Sequence, residues 1–90
     1  MKYSIIIQKL ADTHLKKIEK SGDKTSLRKI QQIFEELELH PTTGIGNPEL
    51  LKHNLSGFWS RRINKKDRLI YQIIEEPDHL VVIISALGHY

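Results

Sequence analysis

Apolar residues recur along this chain with two different spacings, and the change between them divides it in half. Tyr3–Ile7 is a short, unbroken, β-branched run, which predicts a strand buried on both faces inside a sheet. From Gln8 to Lys20, Ala11, Leu15 and Ile18 fall at helical spacing with Lys16, Lys17 and Lys20 outside, and Ser21-Gly22 supplies a stop. Asp23 is suited to cap a second helix. In that helix Leu27, Ile30, Ile33, Phe34 and Leu37 form one stripe, until Pro41 forbids continuation. The two helices read as a hairpin.

"PTTGIGNP", from Pro41 to Pro48, holds two prolines and two glycines among small polar residues and is a loop. Beyond it the spacing changes. Leu50–Leu55, Phe58–Asn64, Leu69–Glu75 and Leu80–Leu87 read as four strands separated by turns. The expected order is β-α-α-β-β-β-β: an α+β fold with a two-helix hairpin packed on an antiparallel meander sheet, one sheet face left open. Ninety residues argue for a single domain, 1–90.

Alternation assigns faces. Trp59, Arg61 and Ile63 share one side of their strand, while Phe58, Ser60, Arg62 and Asn64 share the other. In the next strand Leu69, Tyr71 and Ile73 make the core face, which puts Arg68, Ile70 and Gln72 on the open side beside Arg62. With Trp59 and Ile63 packed toward the helices, Arg61 is expected near their rim, in a structural or partner-binding role.

Charge sharpens this picture. Between Leu51 and Arg68 the six cations Lys52, Arg61, Arg62, Lys65, Lys66 and Arg68 face Asp67 alone, a surplus of five. The whole chain carries +3, so the remainder carries −2. A basic segment on a slightly acidic body is a directed field for an anionic partner, nucleic acid above all. The absence of cysteine excludes disulfides and thiolate metal sites. Ser4–Ile7 is far too short for a signal-peptide core or for a membrane span of about 20 residues, so a cytoplasmic protein without a membrane partner is expected.

Cutting RNA without a metal needs a base for the 2′-hydroxyl proton, cations for the phosphorane and an acid for the departing 5′-oxygen. Glu49, the Arg/Lys group and His89 supply these three types. The five histidines show no helical pair spacing, which argues against zinc, and "GIGNP" leads into a strand rather than a helix, which argues against a phosphate-cradling loop. No cofactor is expected. Phe58 is the one aromatic expected on the open face, too few for a base-stacking RNA-recognition sheet.

"GNPELLKHNLSGFWSRRINKKDRLIY", Gly46 to Tyr71, together with the terminal "HY", closely resembles the YoeB-type toxins of bacterial type II toxin–antitoxin modules, within the RelE/ParE superfamily. The N-terminal half agrees mainly in its pattern of one strand and two helices. The resemblance implies a compact microbial-RNase-like fold and an mRNA endoribonuclease acting in the A site of the 70S ribosome. By position it implies Glu49 as general base, His89 as general acid and Arg68 as the phosphate-stabilising cation. Lys52 and Arg62 would line the site, and Tyr90 would orient substrate. It further implies a YefM-type antitoxin whose tail folds over the site, and homodimers are common in such toxins. "VVIISALGHY" departs from the pattern, being longer and more aliphatic, with Gly88 before the histidine. Two other readings stand beside this one: a ParE-like inhibitor that binds DNA gyrase and cuts no RNA, and a non-catalytic RNA- or antitoxin-binding module.

Overall fold

A computed structural model describes residues 2–88. Strand β1 (Ser4–Ile7) leads into helices α1 (Lys9–Lys20) and α2 (Lys24–Leu39). The strands β2 (Glu49–Leu50), β3 (Phe58–Arg62), β4 (Arg68–Ile74) and β5 (Leu80–Ser85) follow, with a 3₁₀ turn at His53–Leu55. The helix boundaries follow from local chemistry. The Asp23 carboxylate accepts from the Ser26 amide at 3.0 Å and the Ser26 hydroxyl at 2.7 Å, capping α2. These bonds hold its carboxyl below the ordinary value. At the other end α2 stops at Leu39, two residues before Pro41.

The sheet order is β1-β5-β4-β3-β2. The last four strands form the expected antiparallel meander, but β1 joins it parallel to β5, pairing Ser4 with Leu80 through Ile7 with Ile83. The sheet is therefore mixed, and β1 is an edge strand, not an interior one. Ile6 and Ile7 are 46% and 41% exposed. The reason is architectural, because burial on both faces needs helices on both faces and this fold has one helical layer. The expected strand Leu50–Leu55 is also shorter. The Leu51 amide still reaches the Phe58 carbonyl at 2.8 Å, but His53 adopts φ 60° and bends the chain into the 3₁₀ turn.

Ile18, Ile30, Ile33 and Leu37 from the helices meet Leu69, Tyr71, Val81 and Ile83 from the sheet to form the core. Trp59 packs against it, as its strand position predicts. Arg61 shares that inner face and lies deeper than expected: it is fully buried, not at the rim. Its guanidinium pairs with Glu36 on α2 and donates to the carbonyls of His40 (3.0 Å), Thr43 (2.7 Å) and Ile45 (3.3 Å) and to the Tyr71 hydroxyl (3.2 Å). Tyr71 in turn donates to the Pro41 carbonyl at 2.7 Å. The 41–48 loop is thus threaded onto one buried cation. Gly44 is part of the arrangement: at φ +124° a Cβ there would run into the Glu36 carboxylate.

Arg61→Met is expected to destabilise the fold by roughly 3–5 kcal/mol, because it leaves Glu36 and several loop carbonyls without their partner. A urea melt followed by Trp59 fluorescence measures this, and a loss below 1 kcal/mol would contradict it. A second expectation concerns pH. Burial raises the Tyr71 phenol above its ordinary value of 10.0, outweighing the opposing effect of Arg61. The unfolded chain releases that proton first, so the stability Tyr71 contributes is intact below pH 10 and falls as pH rises. Tyr71→Phe is expected to be less stable by about 1–2 kcal/mol at pH 7. The gap to wild type should close in melts above pH 10; a gap independent of pH would contradict this assignment.

Candidate functional site

Laterally paired residues on neighbouring strands share a face, so the registers locate the candidate side chains directly. Glu49 is opposite Ser60, Ser60 is opposite Ile70, and Arg62 is opposite Arg68. Glu49, Ser60, Arg62 and Arg68 therefore lie together on the face away from the helices. Glu49 stands on β2, two strand spacings of about 4.8 Å from β4, which carries Arg68. The alternation argument that grouped Arg62 with Arg68 is borne out. Ile70, expected on this open face, does lie there but is only 1% exposed, and with Ser60 it forms a closed floor between the charged groups.

Arg62 and Glu49 are exposed and Arg68 is half-buried. The Nη1 group of Arg68 reaches the Ser60 hydroxyl at 3.5 Å, at the long limit of a hydrogen bond. Among the described residues neither Arg62 nor Arg68 has an ion-pair partner, and Glu49 has none either. Two arginines directly opposite each other across a ladder repel, and each gains by sharing one anion. Ser85, opposite Ile70, adds a buried hydroxyl on the same face with no hydrogen-bond partner among the described residues.

Lys52 lies outside this row. It is exposed at the entrance to the 3₁₀ turn and lines an open cavity of about 420 Å³ with Glu49, Leu50, Leu51, His53 and Leu55. The cavity joins Lys52 to Glu49 but not to the arginine pair. His89 and Tyr90 lie outside the described residues. The chain just before them is well tied: the Gly88 amide donates to Asp67 Oδ1 at 3.0 Å, and the Arg68 amide donates to the Gly88 carbonyl at 2.9 Å. Among the described residues no three His, Asp or Glu side chains gather into a metal site. None of their helices is long and apolar enough to cross a membrane.

Sequence reasoning passed over Ser60, which touches Arg68, and Asp67, which is 6% exposed and anchors Gly88. The Asn64-x-x-Asp67 spacing carried a signal for the latter. Asn64 Oδ1 accepts from the amides of Lys66 and Asp67 at 2.9 and 2.8 Å, closing an Asx-type turn, while its Nδ2 donates to Asp67 Oδ2 at 3.1 Å.

The model of the YoeB-like toxin of bacterial type II toxin–antitoxin systems matches residues 10–90. Toxin YoeB of Synechocystis sp. is 46% identical over 69 residues, covering 77% of this chain and 77% of that protein. A structure of a YoeB dimer from Staphylococcus aureus superposes with a TM-score of 0.83 at 33% identity, over 100% of both chains. A heterotetrameric YoeB–YefM toxin–antitoxin complex from the same organism superposes with a TM-score of 0.79 at 32% identity, again over 100% of both. With an α+β fold that matches these structures and a family model spanning nearly its full length, the chain belongs to the YoeB-like toxins of bacterial type II toxin–antitoxin systems.

Proposed function

We propose that this toxin is a ribosome-dependent mRNA endoribonuclease that cleaves by attack of a 2′-hydroxyl on the adjacent phosphate. The opposed Arg62 and Arg68, neither with an ion-pair partner among the described residues, carry the reading, since a phosphate between them relieves their repulsion and gains two charge-assisted contacts. In this reading Glu49 takes the 2′-hydroxyl proton and Arg68 stabilises the phosphorane, with Arg62 and Lys52 holding neighbouring phosphates. His89 then protonates the 5′-oxygen, while Tyr90 orients the substrate. The products are a 2′,3′-cyclic phosphate and a 5′-hydroxyl, and no step uses a metal.

The exposure of Glu49 gives the ribosome a physical role. A carboxylate in water is a weak base, and little in the free chain dries it. Binding in the A site of the 70S ribosome would remove water and fix the mRNA against the sheet, supplying both the basicity and the geometry that the toxin lacks alone. The same cationic face fits an acidic, amphipathic antitoxin segment, so a YefM-type partner would exclude RNA by occupying it. The solved YoeB–YefM complex and YoeB dimer support an antitoxin partner and a homodimer for this chain. Ribosome-bound mRNA as the substrate would place the toxin's action in the cytoplasm.

Primer extension on an mRNA bound to programmed ribosomes tests the reading. Wild type is expected to give a discrete A-site cut that needs ribosomes. Glu49→Gln and His89→Gln should each lower the rate by about 10²–10⁴-fold, while antitoxin binding, measured by calorimetry, persists. No cut by wild type under any condition would overturn the nuclease reading in favour of gyrase binding or a non-catalytic module. Arg68→Ala is expected to lose about 10²–10³-fold in cleavage with its melting temperature within a few degrees of wild type. A large fall in melting temperature would instead make Arg68 structural.

A further inference from the structure

The chain leaves β5 at Ser85 and is caught at once by two distant elements. The Ala86 amide donates to Nδ1 of His14, on the half-buried side of α1, at 3.0 Å. Two residues on, the Gly88 amide donates to Asp67 Oδ1 and its carbonyl accepts from the Arg68 amide. Gly88 makes this turn at φ +83°, a conformation that residues with a Cβ rarely adopt. This conformation accounts for a glycine at position 88.

Both catches are backed by further structure. Asp67 is held by Asn64, whose Nδ2 also donates to the Ser26 hydroxyl at 3.0 Å, and Ser26 donates to the α2 cap Asp23. The segment 86–88 is therefore tied on one side to α1 and on the other, through the β3–β4 turn, to the start of α2. To accept from an amide, His14 Nδ1 must present its lone pair, which assigns the ring the tautomer with its proton on Nε2. Nothing in the assigned chemistry calls for a histidine there, and the core cluster is complete without it.

We infer that His14 and Asp67 are positioning residues, which hold Ala86–Gly88 and, through the Gly88 carbonyl, the backbone of Arg68, so that the Arg68 guanidinium is presented to the phosphate. This rests on the nuclease reading above. The effect is geometric: a misplacement of about 1 Å of a catalytic group can cost about 10²-fold in rate. His14→Leu removes the acceptor. His14→Asn keeps one, because its Oδ1 takes the position of the histidine Nδ1.

The experiment compares wild type, His14→Leu and His14→Asn by single-turnover cleavage on programmed ribosomes and by amide exchange of Ala86 and Gly88 in ¹⁵N NMR spectra. His14→Leu is expected to slow cleavage by about 10–10²-fold and to speed exchange at both amides. His14→Asn is expected to restore both to within a few-fold of wild type. Equal cleavage and equal exchange in His14→Leu and wild type would overturn the inference. So would equal losses in both variants, which would make the imidazole's bulk rather than its acceptor responsible. If wild type itself does not cleave, the nuclease reading fails by that result alone. The exchange data then still decide whether His14 holds the segment: unchanged exchange overturns the positioning role, and faster exchange rescued by Asn upholds it.

Discussion

A single buried guanidinium organises this fold. Arg61 enters from the middle of β3, beneath the helices, where an unpaired charge would be intolerable, and it is tolerated because its donors find acceptors on three different elements. Glu36 brings α2, Tyr71 brings β4, and the carbonyls of residues 40–45 bring the loop. The loop has few apolar side chains of its own, and these contacts hold it together with the Ile45 amide on Glu36 and the Tyr71 hydroxyl on the Pro41 carbonyl. Its far end matters most for function. The Gly46 carbonyl accepts from the Arg62 amide at 2.6 Å, and three residues later the chain enters β2 at Glu49. The buried arginine thus sets the position of the exposed acid and of the exposed arginine beside it.

The opposite face follows from the same strand by alternation. A strand that turns Arg61 inward must turn Ser60 and Arg62 outward, and the antiparallel register of β3 with β4 sets Arg68 against Arg62. Core packing and site geometry are therefore one constraint. A bulge within β3 would exchange the two arginines and ruin both faces at once. The irregularity this sheet does contain falls between β4 and β5, where the register shifts at Ile70/Tyr71. The β3–β4 ladder that carries the cations is left regular.

Much of this was legible in the sequence because it is periodic. The helix stripes, the Asp23 cap, the four-strand meander and the pairing of Arg62 with Arg68 all come from spacing and turn chemistry. What escaped is non-local. The four-residue run Ser4–Ile7 looks the same at a sheet's edge as at its centre, since only the number of helical layers decides how many of its faces are covered. The bend at His53 depends on one residue taking positive φ, which no side-chain pattern announces. The depth of Arg61 depends on carbonyls from a loop whose sequence carries only turn signals. The contact of His14 with Ala86 spans 72 positions and involves a backbone amide, so it leaves no trace in residue types.

The cationic surplus that first marks the sequence must accordingly be divided. Of the six cations between Leu51 and Arg68, Arg61 is withdrawn from solvent and neutralised by Glu36, so it adds nothing to the field an anionic partner meets. Lys65 and Lys66 sit in the β3–β4 turn, at the end of the arginine pair, where they extend the field without meeting the row that Glu49 begins. Lys52 belongs to the cavity at the other edge. Only Arg62 and Arg68 are held rigidly opposite each other, each on a strand paired on both sides. Long-range attraction needs only the sum of these charges, but fixing one phosphate requires two donors whose backbones cannot move apart. The sheet supplies that requirement at one place, which is why the reading of this face as a phosphate site rests on the strand register rather than on net charge.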